Sequence, residues 1–240
     1  MEYFYIPELS AEIKEIEISG SEVRHMVKVL RHKPGDEIFA TNGRGEEFRL
    51  IITRIRTNRA GLKVVEVSKG EREPGHKVAL APAVLKGDKL SLIVEAATEL
   101  GISEIVPFVS SRVIGRLSPV KLRRMEQVAV SGLKTALRTV LPTIKPVRNW
   151  NEFLDRFSDY ERVVVAYEEE KVRGVDQVLE PDAKSVLVVI GPEGGFTPAE
   201  TEAMTAAGGR LFSLGPRRLR AETAAVVATA LCLSRLGDLK

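Results

Sequence analysis

The alternation of apolar and polar residues changes along the chain. In the amino-terminal part, three segments rich in β-branched residues partly alternate, as half-buried antiparallel strands do: DEIFAT, EFRLIITRIR and LKVVEVS. Turn-forming sequences punctuate this region at residues 33–36, 42–45 and 58–61. A short amphipathic helix is predicted over residues 21–30, with Ser21 as its N-cap. The pattern therefore predicts a small β-barrel or sandwich.

Residues 68–77 (SKGEREPGHK) contain no apolar residue and carry two Gly and one Pro, which predicts a linker. Beyond them, apolar strand patterns alternate with helical ones, which is typical of a mainly parallel α/β sheet. We expect one domain over 1–72 and a second over 73–240. The predicted strands of the second domain are 78–85, 104–109, 162–167, 185–191 and 210–214. The predicted helices are 88–101, 119–137 and 150–157, with others starting at Pro198 and Glu222.

The composition narrows the class of protein. With 240 residues, of which 44% are hydrophobic, the chain can bury a core, and disorder as its main state is excluded. The single cysteine, Cys232, cannot form an internal disulfide and lies in an apolar run that predicts a buried helix, which favours a reducing compartment. We find no secretory signal pattern and no apolar run near the ~20 residues that cross a bilayer. A soluble, cytoplasmic protein is expected.

The charges are nearly balanced over the whole chain but not along it. The 36 Lys and Arg exceed the 33 Asp and Glu by only three, which excludes a histone-like polycation. Residues 112–148, however, contain nine basic residues and one acid, whereas residues 149–185 contain ten acids and five basic residues. A third cluster comprises Arg210, Arg217, Arg218 and Arg220. Each charged run is compatible with an ordinary solvated face, but two basic stretches near loops favour a phosphate-rich partner.

The sequence GPEGGF (191–196) lies between a predicted strand and a predicted helix. Its three glycines allow close approach of the backbone at the carboxyl end of a strand, where α/β sheets bind ligands. Thr197 and Glu200 form a capping-box pattern around Pro198. A tight strand-to-helix turn explains the glycines equally well. The segment matches neither the nucleotide P-loop nor the dinucleotide-binding fingerprint.

A second motif, LGPRRLRAETA (214–224), also joins a strand to a helix. Glu222 and Thr223 are placed near the helix N-terminus, where they could simply cap it, and the arginines before them could be solvated or bind phosphate. The histidines His25, His32 and His76 all lie in or near the first domain. No His/Cys metal cluster and no Ser-His-Asp arrangement is therefore indicated in the α/β part, and we expect no metal.

In this order, HMVKVLRHKPGDEI, ATELGISEIVPFVSSR, GPEGGF and LGPRRLRAETA resemble the RsmE family of bacterial 16S ribosomal RNA uridine N3-methyltransferases, of the SPOUT class. The resemblance covers nearly the whole chain. It implies an amino-terminal PUA-like β-barrel that binds RNA and a carboxyl-terminal α/β domain with a deep trefoil knot. It also implies a homodimer that acts on 16S ribosomal RNA or the 30S subunit, with S-adenosyl-L-methionine as cofactor.

The resemblance places the methyl donor among backbone loops after three strands. The implied cofactor-binding residues are Ala166, Tyr167, Gly191, Pro192, Glu193, Gly194, Gly195, Leu214, Gly215 and Leu219. The implied catalytic residues are Arg220, Glu222 and Thr223. In our hypothesis Arg220 stabilises the uridine anion, Glu222 orients the base or accepts its proton, and Thr223 supports the loop. Expected RNA contacts are Arg31, Arg112, Arg123, Arg124, Arg138, Arg217 and Arg218.

The chain departs from the family pattern at polar positions. Ala96 stands where a Lys is expected, Thr135 and Ala136 replace a Gln-Ser pair, and Tyr3 replaces an Arg. Such losses leave two alternatives open. One is an inactive scaffold that binds RNA or assists ribosome assembly. The other is a nucleotide-dependent enzyme that uses GPEGGF as a phosphate loop.

Overall fold

A computed structural model describes residues 2–113 and 117–239, and the chain divides into two compact units. Unit 1 comprises Met1–Glu73 and Leu133–Leu141, and unit 2 comprises Pro74–Gly132 and Pro142–Lys240. The sequence pattern gave no sign that a later segment, Leu133–Leu141, packs with the amino-terminal residues. The pattern of charged and apolar residues in this segment is typical of the end of a helix.

Unit 1 is built on a five-stranded sheet in the order β1-β3-β4-β5-β2. Its elements are β1 (Tyr3–Tyr5), β2 (Glu15–Ser19), α1 (Ser21–Arg24), a π-helical turn (His25–Val29), β3 (Glu37–Thr41), β4 (Glu46–Arg56) and β5 (Arg59–Lys69). The pairing of β3, β4 and β5 is antiparallel, as the alternation predicts. Phe48, Leu50 and Ile52 of β4 are fully buried and alternate with more exposed neighbours, so one face of the sheet forms the core.

Several predictions for unit 1 were wrong in detail. The helix predicted over 21–30 is α-helical for one turn only and continues as a π-helical turn. Its N-cap is Gly20, at φ 92°, and Ser21 is the first helical residue. The predicted turn at 58–61 is shorter, because β5 already begins at Arg59. Strands β1 and β2 were missed, since β1 has three residues and β2 buries only Ile18.

The segment Leu133–Leu141 is held in unit 1 by the carboxylate of Glu73. Glu73 accepts hydrogen bonds from the Arg138 guanidinium at 2.6 Å, from the Thr139 amide at 2.7 Å and from the Val140 amide at 2.9 Å. Arg138 is only 2% exposed. The prediction of Arg138 as an RNA contact was therefore wrong: its charge is buried and paired within the protein.

Unit 2 contains a six-stranded sheet in the order β11-β9-β10-β6-β7-β8, in which every pairing is parallel. Its strands are β6 (Lys77–Pro82), β7 (Glu104–Ile105), β8 (Thr143–Ile144), β9 (Arg162–Ala166), β10 (Ser185–Ile190) and β11 (Gly209–Phe212). Its helices are α2 (Lys89–Leu100), α3 (Pro119–Thr135, which runs on into unit 1), α4 (Trp150–Asp155) with a 3₁₀ turn (Arg156–Asp159), α5 (Val175–Val178), α6 (Pro198–Ala206) and α7 (Ala221–Leu236). The parallel α/β sheet is confirmed.

The long, strongly patterned elements of unit 2 match their predictions closely. Helix α2 ends at Gly101, whose φ of 109° is the left-handed C-cap that favours glycine. Cys232 is fully buried in α7, as predicted. The strand expected over 104–109 is shorter, because Pro107 lacks the N–H that a longer ladder needs. The short elements β8 and α5 were missed. No helix among the described residues is long and apolar enough to cross a membrane.

Candidate active site

Three loops of unit 2 leave the same edge of its sheet. Ala166, the last residue of β9, is in register with Ile190 at the end of β10 and with Phe212 at the end of β11. Because neighbouring strands lie about 4.8 Å apart, the loops that follow start side by side. All ten residues predicted to hold the methyl donor belong to the ends of these strands or to these loops. The structure thus brings together positions that are up to 53 residues apart in sequence.

Two glycines of the GPEGGF loop, Gly191 and Gly195, are closely approached by neighbouring side chains. A Cβ on Gly195, which has φ 66°, would lie 1.9 Å from Oε1 of Glu168 in the neighbouring loop. A Cβ on Gly191 would lie 3.0 Å from the ring of Phe196. The loop also closes on itself, since the Gly195 amide donates to the Pro192 carbonyl at 2.9 Å. The glycines therefore permit a tight turn and the close approach of two loops.

The predicted capping box at the start of α6 is present. The Thr197 amide donates to Oε2 of Glu200 at 2.8 Å, the Glu200 amide donates to Oγ1 of Thr197 at 3.2 Å, and Pro198 occupies the first helical position. Oε1 of Glu200 accepts a further bond from the Ser111 amide at 2.8 Å. Burial raises the pKa of the Glu200 carboxyl, but the N–H groups of Thr197 and Ser111 outweigh it and hold the pKa below its usual range.

Arg112 holds the GPEGGF loop through hydrogen bonds to its backbone. Its guanidinium donates to the Gly194 carbonyl at 2.7 Å and to the Phe196 carbonyl at 3.5 Å. Together with Glu200, it fastens the segment around residues 111–112 to the GPEGGF loop. The sequence pattern predicted only an RNA contact for Arg112. Its structural partners could not be found from charge or spacing, because they are backbone carbonyls 82 and 84 residues away.

Glu193 ties the glycine loop to the segment after β6. Its carboxylate accepts a hydrogen bond from Nζ of Lys89 at 3.0 Å. Burial raises the pKa of Glu193, yet the hydrogen bonds from Lys89 and from the backbone of Lys86 lower it overall. Glu193 is therefore an anion fixed in the loop, and it links the donor-site segment to the start of α2.

The three predicted catalytic residues lie where the third loop enters α7. Arg220 is the N-cap residue and is exposed, and its carbonyl accepts the Ala224 amide at 2.8 Å. Among the described residues, its guanidinium has no partner. Oε2 of Glu222 is buried, likewise without a hydrogen-bond partner in the described part of the chain. Thr223 is exposed, and no side chain caps the helix. Glu222 and Thr223 thus do not serve as caps.

Glu222 and Thr223 line a cavity of about 470 Å³ between α2 and α7. Its walls include Leu92, Ala96 and Val226. Ala96, where the resemblance in the sequence predicts a Lys, is one of its lining residues. Glu222 lines this cavity, and its unpartnered oxygen, Oε2, is shielded from solvent.

The remaining predicted RNA contacts are exposed: Arg31, Arg123, Arg124, Arg217 and Arg218. The basic stretch 210–220 is less uniform than its sequence indicates. Arg210 donates to Oε1 of Glu180 at 2.8 Å, and Glu180 is also paired with Arg162. These two arginines lower the pKa of Glu180 to about 2. Arg210 is therefore paired with an acid of the neighbouring acidic stretch, which it shares with Arg162.

His76 belongs to unit 2, with Nδ1 at 2.9 Å from Oδ2 of Asp238. It lies beside β6, at the amino end of that strand, whereas the glycine loop follows the carboxyl end of β10. No group of three or more His, Cys, Asp or Glu side chains in residues 2–113 and 117–239 is arranged to hold a metal ion.

Two family models define the class of this protein as RNA-modifying. A model of the RNA methyltransferase domain matches residues 71–233, and a model of the RNA methyltransferase PUA domain matches residues 18–65. Within that class, the chain belongs to the family of ribosomal RNA small subunit methyltransferase E, which confirms the resemblance seen in its motifs.

The relatives extend over nearly the whole chain. Ribosomal RNA small subunit methyltransferase E of Bacillus subtilis is 33% identical over 241 residues, covering 95% of this chain and 94% of the relative. The protein of that name from Mesomycoplasma hyopneumoniae is 32% identical and covers 78% of this chain and 82% of its own. A crystal structure of the Neisseria gonorrhoeae protein bound to S-adenosyl methionine is 26% identical, with a TM-score of 0.89 and coverage of 98% and 97%.

Proposed function

We propose that this protein transfers the methyl group of S-adenosylmethionine to N3 of a specific uridine in the 16S ribosomal RNA of the small ribosomal subunit. The observation that carries the proposal is the convergence of three backbone loops at one sheet edge, directly before Arg220 and Glu222. The fold likeness to a relative that binds S-adenosyl methionine supports the cofactor. The family name supports the substrate.

The loops fit a nucleoside cofactor. An adenosyl group needs an apolar slot with backbone hydrogen-bonding groups at its rim. Buried Pro192 and Phe196 provide apolar surface, and the glycines leave their backbone accessible. When bound, S-adenosylmethionine supplies an electrophilic methyl group on a sulfonium. The residues that would hold it are the ten at the ends of β9, β10 and β11, among them Ala166, Gly191 and Leu214.

The reaction requires uracil N3 to lose its proton and its negative charge to be stabilised. Arg220 is exposed and unpaired within the described residues, so its guanidinium can face the developing anion. The unpartnered oxygen of Glu222 can orient the base or accept the proton, directly or through a water molecule. A buried carboxylate without a donor is costly, and a substrate N–H would satisfy it. Thr223 supports the loop.

The proposal includes the finer features of the family architecture. Residues 1–72 would form a PUA-like barrel that binds RNA, and residues 73–240 the methyltransferase domain with its deep trefoil knot. Membership of the family supports this architecture. Exposed arginines would contact the RNA: Arg31, Arg112, Arg123, Arg124, Arg217 and Arg218. A ribosomal substrate would also place the enzyme in the cytoplasm.

A homodimer is also proposed. The cavity between α2 and α7 is lined by the apolar residues Leu92, Ala96, Val226 and Val227 together with three glutamates and Thr223, and Leu92 is 58% exposed. Exposed apolar surface next to catalytic residues is typical of an interface. Sedimentation at increasing protein concentration tests this part of the proposal, and a purely monomeric protein would contradict it.

Two measurements on the purified protein test the activity. Isothermal calorimetry should detect binding of S-adenosylmethionine in preference to ATP or NAD. Incubation with 30S subunits that lack the modification should then transfer one radioactive methyl group per subunit to N3 of a uridine. Absence of cofactor binding would favour a non-enzymatic RNA-binding scaffold, and preference for ATP or NAD would favour a nucleotide-dependent enzyme.

A further inference from the structure

A second cavity in unit 2, of about 460 Å³, lies between the start of α2 and the start of α3. It is separate from the cavity that contains Glu222, since the two share no lining residue. Its volume lies within the range of about 300–1,000 Å³ that small-molecule sites occupy. The methyl-transfer chemistry described above uses none of its side chains.

The cavity combines an apolar floor with a basic rim. Leu90 and Met125 are 2% and 1% exposed and form its base, whereas Val120 at the opening is 75% exposed. Ser91 and Gln127 add neutral hydrogen-bonding groups to the lining. A flat, mostly apolar group with polar edges would be complementary to this surface.

Three cations and one acid line the cavity, so its charge favours an anion. Lys121 is engaged, because its Nζ donates to the Leu85 carbonyl at 3.1 Å. Arg123 and Arg124 are exposed, and neither has an ion-pair partner among the described residues. The acid is Asp88. Two adjacent guanidinium groups at the mouth of the cavity can bind a phosphate, and the apolar floor then stays available to an apolar group.

We infer that this cavity binds one nucleotide of single-stranded RNA, with the base against Leu90 and Met125 and the phosphate at Arg123 and Arg124. Bases splayed from a single strand offer a flat apolar face with polar edges, and their phosphates offer the charge. An acidic peptide would satisfy the arginines but would leave the apolar floor uncovered. RNA is therefore the partner that matches both halves of the cavity.

The cavity lies next to a segment that contacts the glycine loop, so a nucleotide bound in it would be close to the nucleotide that reacts. Gly87 and Asp88 line the cavity, and the next residue, Lys89, donates from its ammonium to Glu193 of the glycine loop at 3.0 Å. The inference rests on the proposed function and deepens it: the bound nucleotide would flank the target uridine in the same strand.

Binding of a fluorescein-labelled decauridylate, followed by fluorescence anisotropy over a range of salt concentrations, tests the inference without any methyl transfer. The double variant Arg123→Glu/Arg124→Glu should bind at least about tenfold more weakly. Its salt slope should fall by roughly 0.7, the contribution of one phosphate contact on a single strand. The variant Ser91→Leu fills the cavity but keeps every charge, so it should weaken binding several-fold with an unchanged slope.

Lys184→Glu is the matched control for charge reversal. Lys184 is exposed and immediately precedes β10, at the sheet edge opposite the glycine loop, so its reversal should leave affinity and slope close to wild type. Unchanged thermal unfolding and unchanged S-adenosylmethionine binding would show that each variant is folded. These two readouts also keep a failed cavity distinct from a failed methyltransferase assignment.

Three results would overturn the inference. The first is an unchanged affinity in the double arginine variant. The second is weaker RNA binding by the arginine variant together with unchanged RNA binding by Ser91→Leu. This pattern would mean that RNA is attracted to the charged surface and does not enter the cavity. The third is displacement of the labelled RNA by polyglutamate as efficiently as by unlabelled decauridylate, which would assign the cavity to an acidic protein segment.

Discussion

Arg220 and Glu222 are two residues apart in sequence but differ in environment, and the roles proposed for them rest on this difference. Arg220 is exposed at the N-cap of α7, whereas one oxygen of Glu222 is buried and unpartnered in the described structure. A mobile, solvated cation can meet an anion that forms only during the reaction. A buried acceptor is suited to hold the substrate N–H in place.

Replacement of Arg220 should therefore affect the reaction and not cofactor binding. In Arg220→Ala we expect single-turnover methylation of 30S subunits to slow by about 10²-fold or more, because one preorganised charge contributes about that much. The affinity for S-adenosylmethionine, measured by calorimetry, should stay within about twofold. Lys184→Ala, which removes a charge far from the loops, is the control. Wild-type methylation by Arg220→Ala would contradict the role assigned to this residue.

Cys232 should be chemically silent in the folded protein. The side chain is fully buried in α7, and burial raises the pKa of its thiol to about 12. Only the thiolate reacts, and an ordinary cysteine has a pKa of about 8.5. We expect 5,5′-dithiobis(2-nitrobenzoate) at pH 8 to label Cys232 only as fast as the protein unfolds, and at once in denaturant. Complete labelling within seconds under native conditions would disprove this burial.

For single residues, the sequence predicts which residue types are functional better than it predicts which groups they contact. Arg112 and Arg138 both appear as basic residues of one long stretch. The fold gives Arg112 two backbone carbonyls and buries Arg138 against Glu73. Such partners lie 65 to 84 residues away, so no local pattern records them.

Among the elements, the start of α6 is held by a buried carboxylate whose contribution depends on pH. The folded-state pKa of Glu200 is depressed below the unfolded value of 4.5. The stability that Glu200 supplies is therefore fully present well above pH 4.5 and is lost as the pH falls through the folded-state pKa.

We expect Glu200→Gln to lower the free energy of unfolding at pH 7 by about 1.5–3 kcal/mol, the usual range for hydrogen bonds to a charged group. The deficit should shrink as the pH is lowered below about 4.5, where the wild-type carboxyl loses its charge as well. Urea denaturation at pH 7 and at a pH below about 4.5 measures this difference. Glu202→Gln changes an exposed acid of the same helix and should have little effect. A deficit that is the same at both pH values would contradict the assigned charge.

Elements with several turns or several buried strand residues were predictable, because their periodicity persists over many residues. Helix α2 with its terminal glycine, the capping box of α6 and the apolar strands β9 and β10 belong to this group. The two-residue strand β8 and the one-turn helix α5 have too few residues to show a period. Their positions are set by contacts with the neighbouring strands and helices.

For the molecule as a whole, the pairing of distant segments decides which residues form each unit. Leu133–Leu141 belongs to unit 1 through the bonds it makes to Glu73. We expect Glu73→Ala to destabilise unit 1 by about 3–5 kcal/mol, the usual cost of removing one partner of a buried ion pair. Thermal unfolding measures the loss. Glu71→Ala, two residues earlier and exposed, is the control and should be near neutral. Equal stability of the two variants would contradict the role of Glu73.

The small net charge of the chain can likewise be explained only from the way the whole molecule pairs its charged residues. The charge of +3 sums basic and acidic stretches, and the fold pairs some of their members internally, as Arg210 pairs with Glu180. Other arginines, including Arg123, Arg124, Arg217 and Arg218, stay exposed. The loops of the donor site come from strands that are adjacent in the sheet but not consecutive in order. The motifs predicted these loops, but only the sheet shows that they meet.

Mapping N3-methyluridine in ribosomal RNA, from cells with and without the gene, tests the central claim most directly. We expect a single N3-methyluridine of the 16S RNA to disappear with the gene. We also expect this modification to return with the wild-type gene and not with Arg220→Ala. An unchanged map in cells that lack the protein would contradict the assignment of this chain as a uridine N3-methyltransferase.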